Sequence, residues 1–348
     1  MLIGGASSKF FHLKEFNDSL ERLGVETKLV LDSEIYDGFP SRNLNNWFQT
    51  RRKFKKLIGD FKPELIFVDR QRHFSVAAVE SKIPTLVHLR GDFWSEIQWA
   101  RETTYKSFVK GIVLSEWEKM GKKCFESSSA ILPICEYLAD ITKKHYPSKN
   151  IHVLRQGITP SRWFQTDKLK LKHPCVGFLQ SAIIWGKAKE MLILPRILKS
   201  MPNIMFYWVG DGPYREQILK PLRKFENFKW LGPMKYPDEV RDYLSEIDIY
   251  GLMSGIDMSP LTLQEAQLMK KPVIATDVGG IPEVMVDGKT GFLVEKENPT
   301  DWIDRINLIL EDNDKAKKIG MEGRGFIESN FNMDKIAKDF LSIANNYI

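Results

Sequence analysis

The chain has 348 residues, of which 43% are apolar and 28% are charged, and its formal net charge is +6. This length is comfortable for two domains, and no run of about 18 apolar residues predicts a transmembrane helix. The start, Met1-Leu-Ile-Gly-Gly, lacks the basic and apolar segments of a signal peptide. The chain has three cysteines, Cys124, Cys135 and Cys175. They lack the spacing of metal ligands and are typical of reduced cysteines in a cytosolic protein. We therefore expect a cytoplasmic protein.

The positive charge is unevenly divided along the chain. Residues 1–155 hold 25 Lys and Arg against 19 Asp and Glu, whereas residues 156–348 hold 26 of each kind. All of the excess positive charge therefore lies in the first half, which indicates an acidic partner or surface for that half. The sequence shows no aromatic and basic platform that would favour nucleic acid.

Short β-branched and aromatic runs alternate with amphipathic stretches along nearly the whole chain. This alternation predicts an α/β fold with doubly wound parallel sheets. In the first half the predicted strands are 25–31, 65–68, 85–89, 130–134 and 151–154. In the second half they are 175–179, 204–209, 228–231, 248–252, 272–276 and 292–294. Apolar residues at helical spacing predict helices over 10–23 and 333–348.

Gly4 and Gly5 precede the first predicted helix, with only three residues ahead of them. A loop of small residues lets a ligand approach the backbone at the head of a helix, so both glycines are candidates for ligand binding. A tight turn between strand and helix is the alternative interpretation. The short start predicts either that the first strand is a stub or that the natural chain begins earlier.

Residues 47–61 carry five lysines and arginines interleaved with apolar residues at helical spacing. Such a basic amphipathic helix can lie on an anionic membrane surface. The alternative is that its apolar face packs on the sheet while its lysines are solvated. Both interpretations stay open from the sequence.

Polar residues cluster at the end of the predicted strand 85–89. Ligands of open α/β sheets bind outside the carboxyl ends of strands, so His88 is predicted to be a functional residue rather than a core histidine. Arg90 and Asp92 follow and are further candidates. The alternative for these two residues is that they pair with each other.

The most informative stretch places Asp257 and Glu265 eight positions apart across a turn and the start of a helix. Pro260 fits the first turn of that helix, which is predicted to run over 261–269. The backbone N–H groups between the two carboxylates form an anion site, as helix N-termini do. A phosphate flanked by hydroxyl-rich groups suits this arrangement, and a nucleotide-sugar is such a ligand. The candidate backbone contacts come from Met258, Ser259, Leu261 and Thr262.

This stretch resembles the donor-binding signature of family 4 retaining glycosyltransferases, which belong to the glycosyl transferases group 1. The signature continues here in the buried run 272–276 and the Gly279-Gly280 turn. The resemblance implies that Glu265 holds the ribose hydroxyls and that Asp257 touches the donor sugar. It also implies that His88 faces the donor sugar and that neighbouring residues meet the acceptor.

The same resemblance assigns Lys187, in Gly186-Lys187 before a predicted helix, to the donor diphosphate. A cation is disfavoured at a helix N-terminus unless an anion is nearby, which supports this role. The arginine that accompanies this lysine in the family is absent, and Phe178 stands in its place. Lys189 and Gln180 are candidates to compensate for it.

The resemblance implies the GT-B fold, in which two Rossmann-like, doubly wound domains face each other across a cleft. Residues 156–159 and Pro160 mark the boundary between them. The acceptor-side domain is predicted to contain 1–155 and about 333–348, because the last helix of the family returns to the first domain. The donor-binding domain is predicted to contain 156–332.

The predicted activity is a retaining transfer of a sugar from a nucleotide-diphosphate sugar to a hydroxyl of a glycan or lipid-linked acceptor. UDP-sugars and GDP-sugars are not distinguished, and an anionic acceptor fits the charge of the first half. No metal or other cofactor is implied, because Lys187 and helix N-termini can meet the charge of the diphosphate. The alternatives are a nucleotide-sugar epimerase of similar fold and a non-catalytic sugar-nucleotide-binding subunit.

Overall fold

The computed structural model describes residues 1–35, 39–41, 44, 47–48 and 51–348. The chain forms two units, each built around its own parallel β-sheet. Unit 1 contains Met1–Ile158 and Met333–Ile348, and unit 2 contains Thr159–Asn332. The predicted fold class of two parallel-sheet α/β domains is confirmed.

Within the described residues, the sheet of unit 1 has five strands: β1 (Leu2–Gly5), β2 (Lys28–Leu31), β3 (Ile66–Val68), β4 (Thr85–Leu89) and β5 (Ala130–Pro133). They lie in the order β2-β1-β3-β4-β5, and all neighbouring pairs are parallel. Strands β3 and β4 are buried along their whole length, as expected for a parallel sheet with helices on both faces. The helices are α1 (Phe10–Arg22), α2 (Asp32–Ile35), α3 (Arg52–Phe61), α4 (His73–Glu80), α5 (Phe93–Glu102), α6 (Phe108–Ser127) and α7 (Glu136–His145).

The sheet of unit 2, all of it described, has six strands: β6 (Cys175–Leu179), β7 (Met205–Val209), β8 (Phe228–Gly232), β9 (Ile249–Leu252), β10 (Val273–Thr276) and β11 (Phe292–Val294). Their order is β11-β10-β9-β6-β7-β8, again with parallel pairing. The helices are α8 (Trp185–Ala188), α9 (Leu194–Ser200), α10 (Arg215–Leu222), α11 (Asp238–Glu246), α12 (Leu261–Leu268), α13 (Pro299–Leu310) and α14 (Asn313–Asn330).

The strand order reverses at one place in each sheet. In unit 1, β1 lies between β2 and β3, and in unit 2, β6 lies between β7 and β9. Connections that leave such a strand and its later neighbour run to opposite faces of the sheet, which leaves a crevice outside their carboxyl ends. The crevice of unit 1 is therefore expected beyond β1 and β3, and that of unit 2 beyond β6 and β9.

The last helix, α15 (Met333–Ala344), packs on unit 1. The ring centroid of Phe340 lies 5.2 Å from that of Phe16 and 5.2 Å from that of Phe67. Asp334 accepts a hydrogen bond of 2.8 Å from the hydroxyl of Ser19. The core of unit 1 therefore combines both ends of the described chain.

The prediction of a strand at 151–154 is wrong. The segment forms only an isolated bridge between Ile151 and Ile131. Its backbone still follows the edge strand β5, because the amide of Leu154 donates to the carbonyl of Pro133 at 2.9 Å. The segment is extended chain at the sheet edge that leads towards Gly157, and the apolar pattern alone did not distinguish this from a strand.

The predicted glycine loop is also wrong in its position, because Gly4 and Gly5 are the last residues of β1. A Cβ atom on Gly4 would lie 2.0 Å from the ring of Phe74, and one on Gly5 would lie 2.3 Å from Leu13. Close packing of helices on the strand therefore explains both glycines. Their contact with a ligand stays a prediction.

The basic segment 47–61 contains α3, and residues 49–50 of it lie outside the described residues. Phe54 is buried, with its ring 5.5 Å from that of Phe74, so the apolar face of α3 packs on unit 1. Arg51 forms an ion pair of 3.0 Å with Glu80. Among the described helices, none has the length and apolar character to cross a membrane. Contact of this segment with a membrane surface stays a prediction.

Candidate functional site

The crevice of unit 2 brings together two residues that the sequence singled out. Lys187 belongs to α8, which follows β6, and Asp257 lies in the loop that follows β9. The Lys187 Nζ atom lies 3.0 Å from the Asp257 Oδ1 atom, and their side chains are 32% and 17% exposed. A partly exposed ion pair of this kind can exchange one partner for a ligand.

Backbone contacts fix the loop that carries Asp257. The amide of Gly280 donates to the Asp257 carbonyl at 2.8 Å. Gly279 has φ of +59°, and a Cβ atom there would lie 2.2 Å from that same carbonyl oxygen. The amide of Gly255 donates to the Lys187 carbonyl at 3.1 Å, and a Cβ atom on Gly255 would lie 2.1 Å from the Gly186 carbonyl oxygen. The glycines therefore let the two loops of the ion pair approach closely.

Helix α12 begins at Leu261, and Pro260 is its N-cap residue rather than its first helical residue. The first N–H groups of a helix have no intrahelical partner and can bind an anion. The amide of Met258, another candidate contact, donates to the Asp257 carboxylate at 2.9 Å. The hydroxyl of Thr262 accepts a hydrogen bond of 2.7 Å from Tyr250.

Glu265 lies one turn inside α12 and is only 2% exposed. Burial raises the pKa of the Tyr250 phenol, and the nearby carboxylates of Glu265 and Asp257 raise it further. Both carboxylates thus act on one phenol below the start of α12. The structure thus brings Lys187 and Asp257 into contact, and the place of Glu265 in the same site stays a prediction.

The two residues considered for the missing cation differ in position. The Gln180 amide nitrogen donates to the Met253 carbonyl at 2.8 Å, so this side chain supports the loop before Asp257. Lys189 is exposed and lies beside Gly255. Phe178 is fully buried in β6 and stacks with Phe206 at 6.4 Å between ring centroids. Position 178 therefore belongs to the core.

In unit 1, a buried carboxylate that the sequence analysis missed organises the crevice. Asp69 follows β3 and binds two predicted site residues: its Oδ1 atom lies 3.0 Å from His88 Nδ1 and 3.2 Å from Arg90 Nη1. The other ring nitrogen of His88 lies 3.1 Å from the carbonyl oxygen of Leu154, and Arg90 also donates to Gln156. The signal was available, because Asp69 is a polar residue directly after a buried strand.

Charge balance explains why Asp69 stays ionised. Burial opposes its ionisation, but Arg90 and the hydrogen bond from His88 outweigh burial and lower the pKa of Asp69 to about 2. His88 faces a carboxylate and a carbonyl, which both accept hydrogen bonds. Both ring nitrogens of His88 are thus engaged within unit 1. Direct contact of His88 with a sugar would therefore require exchange of one of these bonds.

Arg90 and Asp92 do not pair with each other, so that alternative is wrong. Asp92 is the N-cap of α5 and accepts hydrogen bonds from the amide and the hydroxyl of Ser95. Its carboxylate is thus committed to holding a helix start, as N-cap residues do. Arg90 instead turns towards Asp69.

A cavity of about 40 Å³ lies beside this network and is lined by His12, His88, Arg90 and Gln156, among others. The Gln156 amide nitrogen is buried and has no hydrogen-bond partner among the described residues. Burial, with the charges of Arg90 and Lys9, lowers the pKa of His12 to about 3, so this ring is neutral. The cavity has room for one water-sized polar group.

Comparison with known proteins finds a family match inside unit 2. Residues 169–326 match the family model described as Glycosyl transferases group 1. The match lies within Thr159–Asn332 and covers less than half of the chain. The matched segment includes Lys187, Asp257 and Glu265.

Two curated relatives are synthases by name. The chain is 24% identical to alpha-maltose-1-phosphate synthase of Mycolicibacterium smegmatis over 259 residues, which is 67% of this chain and 66% of that protein. It is 33% identical to N-acetyl-alpha-D-glucosaminyl L-malate synthase of Bacillus anthracis over 209 residues, which is 57% of this chain and 54% of that protein. The aligned parts thus span less than two thirds of each relative.

Solved structures share the fold over nearly the full length. Sucrose-phosphate synthase from Thermosynechococcus elongatus has a TM-score of 0.77 at 14% identity and covers 99% of this chain and 98% of its own. Anabaena Alr3699/HepE in complex with UDP has a TM-score of 0.68 at 16% identity, with 99% of both chains covered. These likenesses confirm the GT-B fold class.

Replacing Asp69 by Asn should destabilise unit 1, because His88 and Arg90 would lose the buried carboxylate that they share. We expect a loss of about 3–5 kcal/mol in the free energy of unfolding at neutral pH, measured by urea denaturation. The control Asp18→Asn breaks the exposed pair with Lys14 and should cost less than about 1 kcal/mol.

The difference between wild type and Asp69→Asn should also depend on pH. The pKa of Asp69 is lowered from 3.8 to about 2 in the folded protein, so the carboxylate stabilises the fold above pH 3.8. This contribution should fade as the pH falls from about 4 towards 2. A difference that stays constant over that range would contradict the charge network.

Replacing Gly279 by Ala should lower the free energy of unfolding by more than left-handed backbone strain alone, because the new Cβ atom would collide with the Asp257 carbonyl. Gly288 provides a matched control, because its φ is +71° and a Cβ atom there would meet nothing within 4 Å. Gly288→Ala should cost about 1–2 kcal/mol from left-handed strain alone. Gly279→Ala should cost clearly more in the same urea titration, and equal losses would contradict the contact with Asp257.

Proposed function

We propose that the protein is a retaining glycosyltransferase of family 4 that transfers a sugar from a nucleoside-diphosphate sugar to a hydroxyl of a glycan or lipid-linked acceptor. The observation that supports this most is the crevice of unit 2. There the Lys187–Asp257 ion pair of 3.0 Å lies by the start of α12, with the buried carboxylate of Glu265 one turn inside. This set matches the chemistry of a phosphate flanked by hydroxyl-rich groups.

Each residue of this crevice has a proposed role. Glu265 accepts hydrogen bonds from the ribose hydroxyls, and Asp257 accepts one from the donor sugar. Lys187 exchanges part of its contact with Asp257 for the diphosphate, whose charge grows as the glycosidic bond breaks. The N–H groups at the start of α12 add to this stabilisation.

Leaving-group stabilisation of this kind needs neither a metal ion nor a cofactor. We propose a metal-independent transfer with front-face attack by the acceptor hydroxyl. The solved structure of Anabaena Alr3699/HepE is described in complex with UDP and with UDP-glucose, which supports a nucleoside-diphosphate sugar as the donor class.

For unit 1 we propose the acceptor-side role. Arg90, held by Asp69 and Gln156, presents a guanidinium whose side chain is 18% exposed. The first 155 residues also carry all of the excess positive charge. An anionic acceptor would be attracted to such a surface. Asp92 contributes by holding α5 in place. Gly4 and Gly5 at the end of β1 are proposed to contact the donor.

A non-catalytic sugar-nucleotide-binding subunit is the second candidate. It is favoured by the buried Phe178, which supplies no second cation for the diphosphate. Slow hydrolysis of the donor to free sugar and nucleoside diphosphate would support the transferase and exclude this candidate.

Glu265→Gln should weaken binding of UDP or GDP by roughly ten- to a hundredfold, because charged hydrogen bonds contribute about 1.5–3 kcal/mol. Isothermal titration calorimetry measures the affinity, and circular dichroism shows whether the fold is kept. The control Glu311→Gln removes an exposed carboxylate of the same unit and should leave the affinity unchanged. Wild-type affinity in Glu265→Gln would remove the ribose-binding role.

The sugar in the first-formed product should keep the anomeric configuration that it had in the donor. The reason is that the proposed site stabilises the leaving group and provides no base for attack from the opposite face. Proton NMR of the product, recorded before mutarotation, distinguishes the two configurations by their anomeric coupling. An inverted coupling would overturn the retaining mechanism.

A further inference from the structure

A second cluster of reactive side chains lies at the opposite end of the sheet of unit 2. Val176 of β6 pairs with Ile249 of β9, so the preceding residues, Cys175 and Asp248, lie side by side at the amino ends of these strands. His173 completes the cluster from the segment that enters β6. Sulfur, nitrogen and oxygen atoms of these three residues all lie within 4.8 Å of one another.

The histidine connects the other two side chains through a single atom. Its Nδ1 atom lies 2.8 Å from Asp248 Oδ2 and 3.8 Å from Cys175 Sγ. The proton on Nδ1 therefore occupies the space between the three side chains. A metal ion bound to Nδ1 would take the place of that proton and would meet a thiolate and a carboxylate, which with imidazole are the usual ligands of Zn²⁺.

The surroundings of the cluster resemble the outer shell of a metal site. The second ring nitrogen of His173 lies 3.2 Å from Glu246 Oε1, so a carboxylate orients the ring from behind, as carboxylates do for metal-bound histidines. Glu246 is itself held by the amide of Leu171 at 3.0 Å. Asp248 Oδ2 also accepts from the amide of Cys175 at 2.8 Å, which holds this carboxylate beside the other two side chains.

Access and charge also fit a cation. The side chains of His173 and Asp248 are 42% and 37% exposed, so an ion can reach the cluster from solvent. Cys175 is fully buried and supplies the sulfur of the cluster. Its thiol would lose its proton when an ion binds, as cysteine ligands do. The partly buried ammonium of Lys271 opposes a cation, but it donates a hydrogen bond of 2.7 Å to the Ser245 carbonyl.

We propose that His173, Cys175 and Asp248 bind one Zn²⁺ ion, with a water molecule in the fourth position. Binding would release the proton of the thiol and, from doubly protonated His173, the proton of Nδ1, while the Nε2–H group stays directed at Glu246. The ion would join the starts of β6 and β9 and so stabilise unit 2. It would not take part in sugar transfer, because Lys187 and Asp257 follow the carboxyl ends of these strands.

The test uses Co²⁺ as a spectroscopic substitute for Zn²⁺ in the full chain, stripped of metal beforehand. We expect a thiolate-to-cobalt charge-transfer band that saturates at one equivalent. The band should disappear in Cys175→Ala and in His173→Gln, of which the second changes a half-exposed side chain and should leave the fold intact. The matched control is Cys124→Ala, which removes a fully buried thiol from unit 1 and should keep the band.

A second measurement uses Zn²⁺ itself. The melting temperature of wild type should rise with Zn²⁺ concentration, because a ligand that binds only the folded state stabilises it. His173→Gln should lose this rise, whereas Cys124→Ala should keep it. A wild-type protein without a charge-transfer band at one equivalent, or a band that survives in Cys175→Ala, would overturn the proposal.

Discussion

One parallel pairing, β6 against β9, determines where the reactive side chains of unit 2 lie. The two strands are far apart in sequence, but the register joins Val176 to Ile249 and Phe178 to Gly251. The carboxyl ends of both strands therefore open into one crevice, where Lys187 and Asp257 meet. Their amino ends place Cys175 beside Asp248. A shift of this register would separate both pairs at once.

Close backbone contacts make this pairing useful for binding. The segments that carry Lys187 and Asp257 are held by close main-chain contacts. A side chain at Gly255 would collide with the Gly186 carbonyl, and one at Gly279 would collide with the Asp257 carbonyl. The carboxylates are held by backbone groups rather than by flexible side chains alone. A site preorganised in this way loses little entropy when a ligand binds.

Unit 1 uses the same principle with a different balance of charge. Its strand order brings β1 next to β3 and β3 next to β4, so Asp69 after β3 lies beside His88 of β4. One buried carboxylate is then shared by His88 and Arg90. Residues 1–155, which make up most of unit 1, hold 25 Lys and Arg against 19 Asp and Glu. This surplus of positive charge fits the anionic acceptor that we propose for unit 1.

The sequence by itself determined the local elements and the donor-side residues. Strands such as Thr85–Leu89 and Cys175–Leu179 were predicted within a residue, because apolar runs buried on both faces leave a clear pattern. Asp257 and Glu265 were singled out because their spacing is local in the chain, and Lys187 because it follows Gly186 before a predicted helix, as in the family that the sequence resembles. The tertiary structure decided which residues become partners across long separations. It revealed Asp69 beneath His88 and Arg90, it turned Asp92 into a helix cap, and it joined His173 to Asp248, 75 residues away. The physical reason is that side-chain partnership depends on strand order and register, which no local pattern encodes.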